Sequence, residues 1–175
     1  EFKELPENVK NDFELTKSII RNLSLNVKRN KIIIKVIRDE LEKKNPCLVF
    51  SCSVDHSRLL SAALSYYGYN SSYIDCKMRK GSRKRVVEGF RSGKYDVLFN
   101  YGVLSTGFDA PRIRTIIITR PTTSIILHSQ MVGRGLRGPL MGGGEYCNLI
   151  DIKDNFLNFG GVEDVYSFFD DYWEK

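Results

Sequence analysis

The chain has 175 residues, enough for one full-sized α/β domain and a short appendage. Hydrophobic residues make up 42% of it and charged residues 27%, which are ordinary globular values and exclude a disordered tail. The formal net charge of +6 and the sequence pI near 9.1 are compatible with an acidic partner such as nucleic acid, although many soluble proteins are equally basic.

The cysteines and the short apolar runs indicate where in the cell the protein is expected. The four cysteines form no C-x-x-C pair and only two histidines accompany them, so we predict no metal site. Cys47, Cys52 and Cys147 lie in or beside predicted strands, as buried reduced thiols do. With no signal-peptide pattern and no long apolar run, the sequence predicts a cytoplasmic protein that does not contact a membrane.

Apolar spacing predicts that residues 1–45 are a mainly helical lead-in, with a polar loop at residues 22–30. Asn45-Pro46 ends this segment, because proline cannot continue a helix and its preceding residue avoids the α region. We therefore divide the chain into a lead-in or linker over residues 1–45 and a domain over residues 46–175.

Beyond Pro46, short apolar runs alternate with amphipathic segments. The predicted strands cover residues 47–51, 72–75, 95–100, 115–119 and 145–150. Helices are predicted from Ser53 or Asp55 to about residue 67, and over residues 82–90, 124–132 and 162–173. This alternation predicts a three-layer α/β fold with a mostly parallel central sheet and helices on both faces. Ligands of such sheets bind beyond the carboxyl ends of the strands, which directs attention to the loops found there.

The segment Gln-Met-Val-Gly-Arg-Gly-Leu-Arg at residues 130–137 places two arginines three positions apart. On a helix or a helix-like turn, Arg134 and Arg137 would project from the same face. Two guanidinium groups suit a polyanion such as a triphosphate or a nucleic-acid backbone, and Gly133 and Gly135 would let a ligand or a facing surface approach closely. A solvated basic turn is the simpler interpretation of these residues alone.

Residues 100–111 follow the third predicted strand and combine glycines with hydroxyl groups and one carboxylate. Ser105 and Thr106 offer short hydroxyls, Gly107 permits close backbone approach, and Asp109 could accept hydrogen bonds from a ribose. An ordinary glycine- and serine-rich loop, with Asp109 capping a turn, remains open as an alternative.

Two further stretches could contact polyanions. Ser51 and Ser53 follow the first strand at a helix amino terminus, where free N–H groups favour a phosphate, although plain helix capping explains them equally well. Residues 77–85 carry six lysines and arginines, which would track polyanion charge or simply be solvated. His56 is predicted to be a surface or half-buried residue and not a catalyst.

Residues 133–138 also fit the dinucleotide pattern G-x-G-x-x-G, which predicts nicotinamide binding only between a preceding strand and a following helix. Pro139 and further glycines follow instead, and two arginines occupy the supposed phosphate turn. The pattern therefore disfavours a nicotinamide enzyme.

Taken in order, these stretches resemble the second RecA-like domain of superfamily 2 helicases over residues 47–154. Phe50-Ser51 and the following turn resemble the fourth helicase motif, residues 100–111 resemble the fifth, and residues 130–137 match the sixth, Q-x-x-G-R-x-x-R. Arg83, Phe90 and Gly93 fit the R-x6-F-x-x-G helix of this domain. Residues 102–109 and 120–124 are most similar to type III restriction subunits and RadD-like DNA repair helicases.

The resemblance implies a RecA-like, P-loop-NTPase-like domain of an ATP-dependent helicase. Arg134 and Arg137 would be arginine fingers that reach ATP and its Mg²⁺ bound mainly on a first domain, Gln130 would orient nearby groups, and Gly107 and Asp109 would lie at the ribose. The residues implied to face the nucleic-acid strand, with DNA favoured over RNA, are Ser51, Ser53, Asn100, Ser105 and Thr106.

The chain contains no G-x-x-x-x-G-K-[ST] loop, and its one Asp-Glu pair, Asp39-Glu40, falls in a predicted helix. Both features belong to the first domain in this family, so the resemblance implies that this chain partners an N-terminal RecA-like domain and is inactive alone. An alternative is a non-catalytic nucleic-acid-binding or regulatory module that kept the fold and lost the motor.

Overall fold

The computed structural model describes residues 17–103, 112–122, 125–135 and 143–152. Five helices and five strands occupy these ranges. The helices are α1 Lys17–Leu25, α2 Val27–Glu42, α3 Val54–Tyr66, α4 Lys80–Arg91 and α5 Ile125–Val132. The strands are β1 Cys47–Phe50, β2 Ser71–Ile74, β3 Val97–Asn100, β4 Thr115–Ile118 and β5 Asn148–Asp151.

The strands form one sheet in the order β2-β3-β1-β4-β5, and every pairing in it is parallel. Phe50 at the end of β1 pairs with Asn100 of β3 on one side and with Ile118 of β4 on the other. The carboxyl ends of the strands therefore share one edge of the sheet, and the loops that follow β3, β1 and β4 lie side by side.

Side chains alternate along the central strands and build a core on each face of the sheet. On one face, Leu48 and Phe50 pack with Phe90 of α4 and Met131 of α5. On the other face, residues of β1, β3 and β4 pack with α2 and α3, and the fully buried contacts there include Ile33, Ile37, Leu60 and Leu64. Helices thus cover both faces, which confirms the predicted three-layer arrangement.

The predicted loop at residues 22–30 is wrong. α1 continues to Leu25 and α2 begins at Val27, so only Asn26 separates the two helices. The side chain of Asn26 accepts a hydrogen bond from the backbone N–H of Arg29 and caps α2. Polar residues that suggested a loop are instead a helix cap and buried helix positions, since Arg29 and Asn30 are both buried.

The remaining element predictions agree with the structure to within a few residues at each end. Ser53 caps α3 and accepts a hydrogen bond from the backbone of His56, which decides between the two predicted capping residues. Gly68, with φ of 85°, follows the end of the same helix, which was predicted to run to about residue 67. The helix predicted over residues 162–173 lies outside the described residues, and the domain boundary at residue 45 stays a prediction.

Glu40, near the end of α2, binds the amino edge of the sheet. Its carboxylate accepts hydrogen bonds from Thr115 Oγ1 at 2.6 Å and Asn148 Nδ2 at 3.1 Å, the first residues of β4 and β5. Asn45 and Lys43 also donate to it. Burial opposes the charge, but these four hydrogen bonds outweigh burial and lower the pKa of Glu40 to about 2. The Asp39-Glu40 pair therefore includes a structural carboxylate.

The described helices include none with the length and apolar character of a transmembrane span. Within the same ranges, no group of three or more histidine, cysteine or acidic side chains could hold a metal ion. Cys47 and Cys52 are buried free thiols, as predicted, whereas Cys147 is half-buried.

Candidate functional site

Backbone hydrogen bonds join the three loops at the carboxyl edge of the sheet. The N–H of Ser51 donates to the carbonyl of Asn100 at 2.9 Å, and the N–H of Thr119 donates to the carbonyl of Phe50 at 2.9 Å. The loops after β3, β1 and β4 are thereby held as one surface, at the edge where ligands of parallel sheets bind.

A small cleft of about 40 Å³ opens between these loops and α5. Its polar lining comes from Ser51, Asn100, Arg120 and Gln130, and Tyr101 adds an aromatic ring. The apolar lining includes Phe50, Leu127 and Met131. Three separately predicted residues, Ser51, Asn100 and Gln130, therefore meet at one place.

Ser51 and Asn100 are both buried at this cleft, with exposed fractions of 1% and 2%. The Ser51 hydroxyl has no hydrogen-bond partner in the part of the chain that the structure describes. Asn100 Oδ1 accepts a hydrogen bond from the N–H of Val103 at 3.3 Å and so shapes the turn after β3. Ser53 lies further along and uses its hydroxyl oxygen to cap α3, so its role in the fold is already that of a helix cap.

Arg120 follows β4 and was not among the predicted site residues. Its guanidinium carbon lies 5.3 Å from the centre of the Tyr101 ring, a cation–π contact between the loops after β4 and β3. Both side chains are half-buried. The sequence signal was available, since an arginine directly after a buried strand faces the ligand edge of a parallel sheet.

Gln130 and Arg134 lie at the end of α5 and in the turn that follows it. α5 ends at Val132, and Gly133 and Gly135 continue the helical hydrogen bonding to Ser129 and Val132. Gln130 is exposed and Arg134 is half-buried. The helix-like turn predicted for this segment is present through residue 135.

Gly135 packs closely against Cys147 and Ile116. A Cβ atom at this position would lie 2.4 Å from Cys147 Sγ and 2.8 Å from Ile116 Cδ1. Of the two predicted possibilities, a ligand or a facing surface, the structure places a facing surface against Gly135, and that surface is the sheet. Glycine is needed here because a larger residue would prevent the turn from packing on β4. A helix, not a strand, precedes Gly133, so the context required for a dinucleotide turn is absent.

Half of the predicted site residues fall outside the described residues. They are Ser105, Thr106, Gly107, Asp109 and Arg137. Their roles stay predictions.

Arg29 of α2 contacts the two loops that carry Ser51 and Arg120. Its guanidinium donates to the carbonyl of Thr119, the residue before Arg120, and its Nη1 lies 3.8 Å from Cys52 Sγ, the residue after Ser51. Cys52 Sγ also donates to the carbonyl of Thr119 at 3.0 Å. Sequence reasoning missed Arg29 because it read this stretch as a solvated loop.

His56 extends this buried polar network and corrects a prediction. It is 2% exposed, so the expected surface or half-buried position is wrong. The N–H of Cys52 donates to His56 Nδ1 at 3.2 Å, so His56 Nε2–H donates to Asn30 Oδ1 at 3.0 Å. Burial, with a smaller contribution from the Arg29 charge, lowers the pKa of His56 to about 4. The imidazole is thus a neutral structural link between Cys52 and Asn30, and the expectation that it is no catalyst stays a prediction.

The basic cluster at residues 77–85 divides into two kinds of side chain. Arg83 donates to the carbonyls of Asp75, Cys76 and Met78 and holds the turn before α4. Lys77, Arg79, Lys80, Lys84 and Arg85 are exposed. Arg83 is therefore a structural residue and the others form a solvated face.

A sequence model of the family described as "Helicase conserved C-terminal domain" matches residues 28–138. The chain belongs to this family. It is the C-terminal RecA-like domain of a superfamily 2 helicase, as the ordered motifs implied. The match begins in α2, which packs against the sheet, and extends past Arg134.

The chain is similar in sequence to named helicases and similar in fold to solved helicase structures. IRC3 of Saccharomyces cerevisiae, which carries the name of an ATP-dependent helicase, is 32% identical over 124 residues, 70% of this chain and 18% of that protein. The C-terminal domain of the DEAD-box protein Dbp5 superposes with a TM-score of 0.60 and 19% identity over 73% of this chain and 71% of that one. S. cerevisiae Dbp5 bound to RNA and ADP BeF3 gives a TM-score of 0.63 at 17% identity, covering 83% of this chain and 36% of that one. The helicase domain thus spans about a fifth of the length of IRC3.

Proposed function

We propose that this domain is the second motor domain of an ATP-dependent helicase or translocase that acts on nucleic acid, with DNA favoured over RNA. The observation that carries the proposal is the meeting of Ser51, Asn100 and Gln130, from three separate motifs, at one cleft on the carboxyl edge of the sheet. A solvated basic turn would not require these residues to converge.

In this proposal ATP and Mg²⁺ are held mainly by a first RecA-like domain outside this chain, and this domain supplies the remaining contacts. Arg134 and Arg137 approach the γ-phosphate and stabilise the charge that develops during transfer, an effect worth about 10³- to 10⁵-fold in rate. Gly107 and Asp109 lie at the ribose, and Gln130 orients its neighbours. The partly exposed position of Arg134 after α5 supports this assignment.

The nucleic-acid strand lies along the loops that carry Ser51, Ser53, Asn100, Ser105 and Thr106. Closure of the two domains on ATP and the strand, followed by hydrolysis and reopening, would convert phosphate chemistry into movement. A DNA repair or restriction setting fits the sequence resemblance, whereas one structural neighbour is described as bound to RNA. The test must therefore include both nucleic acids.

The experiment compares ATP hydrolysis by the full-length protein and its Arg137→Ala and Arg134→Ala variants, with no nucleic acid, single-stranded DNA or RNA. We expect stimulation by DNA in the wild type and loss of at least about 10³-fold in the rate constant for hydrolysis in each variant. Thermal unfolding checks that the variants fold. Near-wild-type hydrolysis by both folded variants would reject the arginine-finger role. A wild type that binds nucleic acid without hydrolysing ATP would favour a non-catalytic binding module.

A further inference from the structure

We propose that Ser51, Tyr101 and Arg120 form a phosphate-binding subsite for one nucleotide unit of a bound single strand. The proposal rests on the proposed function and adds two residues, Tyr101 and Arg120, to its nucleic-acid surface. It also gives the Ser51 hydroxyl a defined partner, which is a phosphate oxygen of the strand.

Arg120 has the charge that a backbone phosphate requires, and it lines the same cleft as Ser51. It follows β4 at the carboxyl edge, and its guanidinium lies 5.3 Å from the Tyr101 ring centre. The planar array of five guanidinium donors matches phosphate oxygens, and a contact with an aromatic ring restricts where the guanidinium lies. The half-buried position of both side chains orients the charge while leaving it accessible.

Ser51 is the independent observation that indicates a ligand. Its hydroxyl is buried at the cleft and has no hydrogen-bond partner among the residues that the structure describes. Leaving such a group unpaired is unfavourable, and native proteins rarely do so without a reason. A ligand oxygen that entered the cleft would supply the missing partner.

The cleft is large enough for part of a phosphate group. Its volume of about 40 Å³ exceeds the roughly 10–15 Å³ that one water molecule needs, so a phosphate oxygen can enter it. Tyr101 is half-buried at the cleft, and its ring is already in contact with Arg120. The proposed function makes a nucleic-acid strand the source of that phosphate.

The three loops that carry these side chains are held together without a ligand. Ser51 N–H bonds the carbonyl of Asn100, which precedes Tyr101, and Arg29 bonds the carbonyl of Thr119, which precedes Arg120. The three loops are therefore fixed relative to one another by hydrogen bonds that do not involve the proposed ligand. Such preorganisation lowers the entropy cost of binding.

The experiment measures the dissociation constant of the full-length protein for a fluorescent single-stranded DNA as a function of salt. Arg120→Gln should weaken binding about tenfold and reduce the slope of log K against log salt by about 0.7, the value for one phosphate contact on a single strand. Arg120→Lys should preserve the slope. Lys94→Gln is the matched control, because Lys94 also lies over a tyrosine ring but before β3, at the amino edge. It should leave the slope unchanged.

Ser51→Ala separates ligand binding from folding. It should weaken DNA binding about two- to fivefold while leaving the melting temperature unchanged or higher, because it removes a buried hydroxyl that has no partner among the described residues. A residue with a purely structural role would lower the melting temperature and leave the affinity of the folded protein unchanged. Unchanged affinity in Ser51→Ala would overturn the role of this hydroxyl.

Two further ligands test the chemistry. On an oligonucleotide with a neutral methylphosphonate backbone, Arg120→Gln should have no effect; a persisting effect would overturn the phosphate assignment. If Arg120→Gln weakened binding of ATP alone and not of DNA, the subsite would belong to a free nucleotide and the strand proposal would fail. Unchanged DNA affinity and slope in Arg120→Gln would overturn the subsite even if DNA still stimulated hydrolysis. Failure of the wild type to bind nucleic acid would instead reject the proposed function itself.

Discussion

The guanidinium of Arg29 in α2 donates a hydrogen bond to the carbonyl oxygen of Thr119, 90 residues further along the chain. This contact joins the first turn of a helix on one face of the sheet to the loop that carries Arg120. Arg29 is 6% exposed, so this hydrogen bond is made inside the protein and not at the surface.

Replacement of Arg29 by methionine, which keeps much of its length, should lower the free energy of unfolding by about 2 to 4 kcal/mol because the Thr119 carbonyl and its surroundings lose a buried donor. It should also raise the pKa of His56, since the Arg29 charge is one cause of its low value. Urea unfolding and NMR titration of the imidazole measure the two effects. The pKa should stay below the ordinary value because burial is the larger cause, and an unchanged pKa would contradict the coupling.

Acid should destabilise the protein through His56. Its pKa is near 6.5 when unfolded and about 4 when folded, so the unfolded state binds the proton more tightly. The contribution of His56 to the free energy of unfolding is therefore complete above pH 6.5 and is lost as the pH falls from 6.5 towards 4. Between pH 7 and 5 the loss should be about 2 kcal/mol. Urea unfolding at several pH values tests this, and His56→Gln, which does not titrate, should remove most of the slope.

Glu40 should contribute strongly to the free energy of unfolding, because it joins α2 to the amino ends of β4 and β5. Glu40→Ala leaves Thr115 and Asn148 without their carboxylate acceptor and should lower the free energy of unfolding by about 2 to 4 kcal/mol at pH 7. Because the folded pKa is lowered to about 2, the wild-type carboxylate contributes stability above pH 4.5 and loses it as the pH falls towards 2. The difference between wild type and variant in chemical denaturation should shrink over that range. Asp39→Ala on the exposed side of α2 is the control and should have little effect.

Gly135→Ala should be destabilising by about 1 to 3 kcal/mol, since the added methyl group would collide with Cys147 and Ile116. Gly81→Ala is the matched control, because nothing lies within 4 Å of its Cβ position in α4. It should be neutral or stabilising, as alanine is the better helix former. Combining Gly135→Ala with Cys147→Ala should restore part of the lost melting temperature. No recovery would contradict the close contact.

The layered parallel fold and the position of the site could be predicted because they depend on local patterns. Buried strands are short apolar runs, and Ser51, Asn100 and Gln130 follow or border them at positions that a parallel sheet brings to one edge. The number and alternation of the elements then determine the layers, whatever the strand order.

The polar interior could not be predicted in the same way. Arg29, Asn30 and His56 resemble solvent-facing residues in sequence, and what buries them is a set of partners far along the chain. Arg120 is a different case: its position after a buried strand was a usable signal, and only its contact with Tyr101 required the structure. Pairings between distant residues carry no periodic signal, so only the folded chain identifies them.

α2 contacts both edges of the sheet, through Arg29 at the carboxyl edge and Glu40 at the amino edge. A shortened protein that began at β1 would lose the core contacts of Ile33 and Ile37 and would uncover the apolar side chains beneath them. Recombinant fragments intended for biochemistry should therefore start before Asn26, so that the helix cap and the whole of α2 are retained.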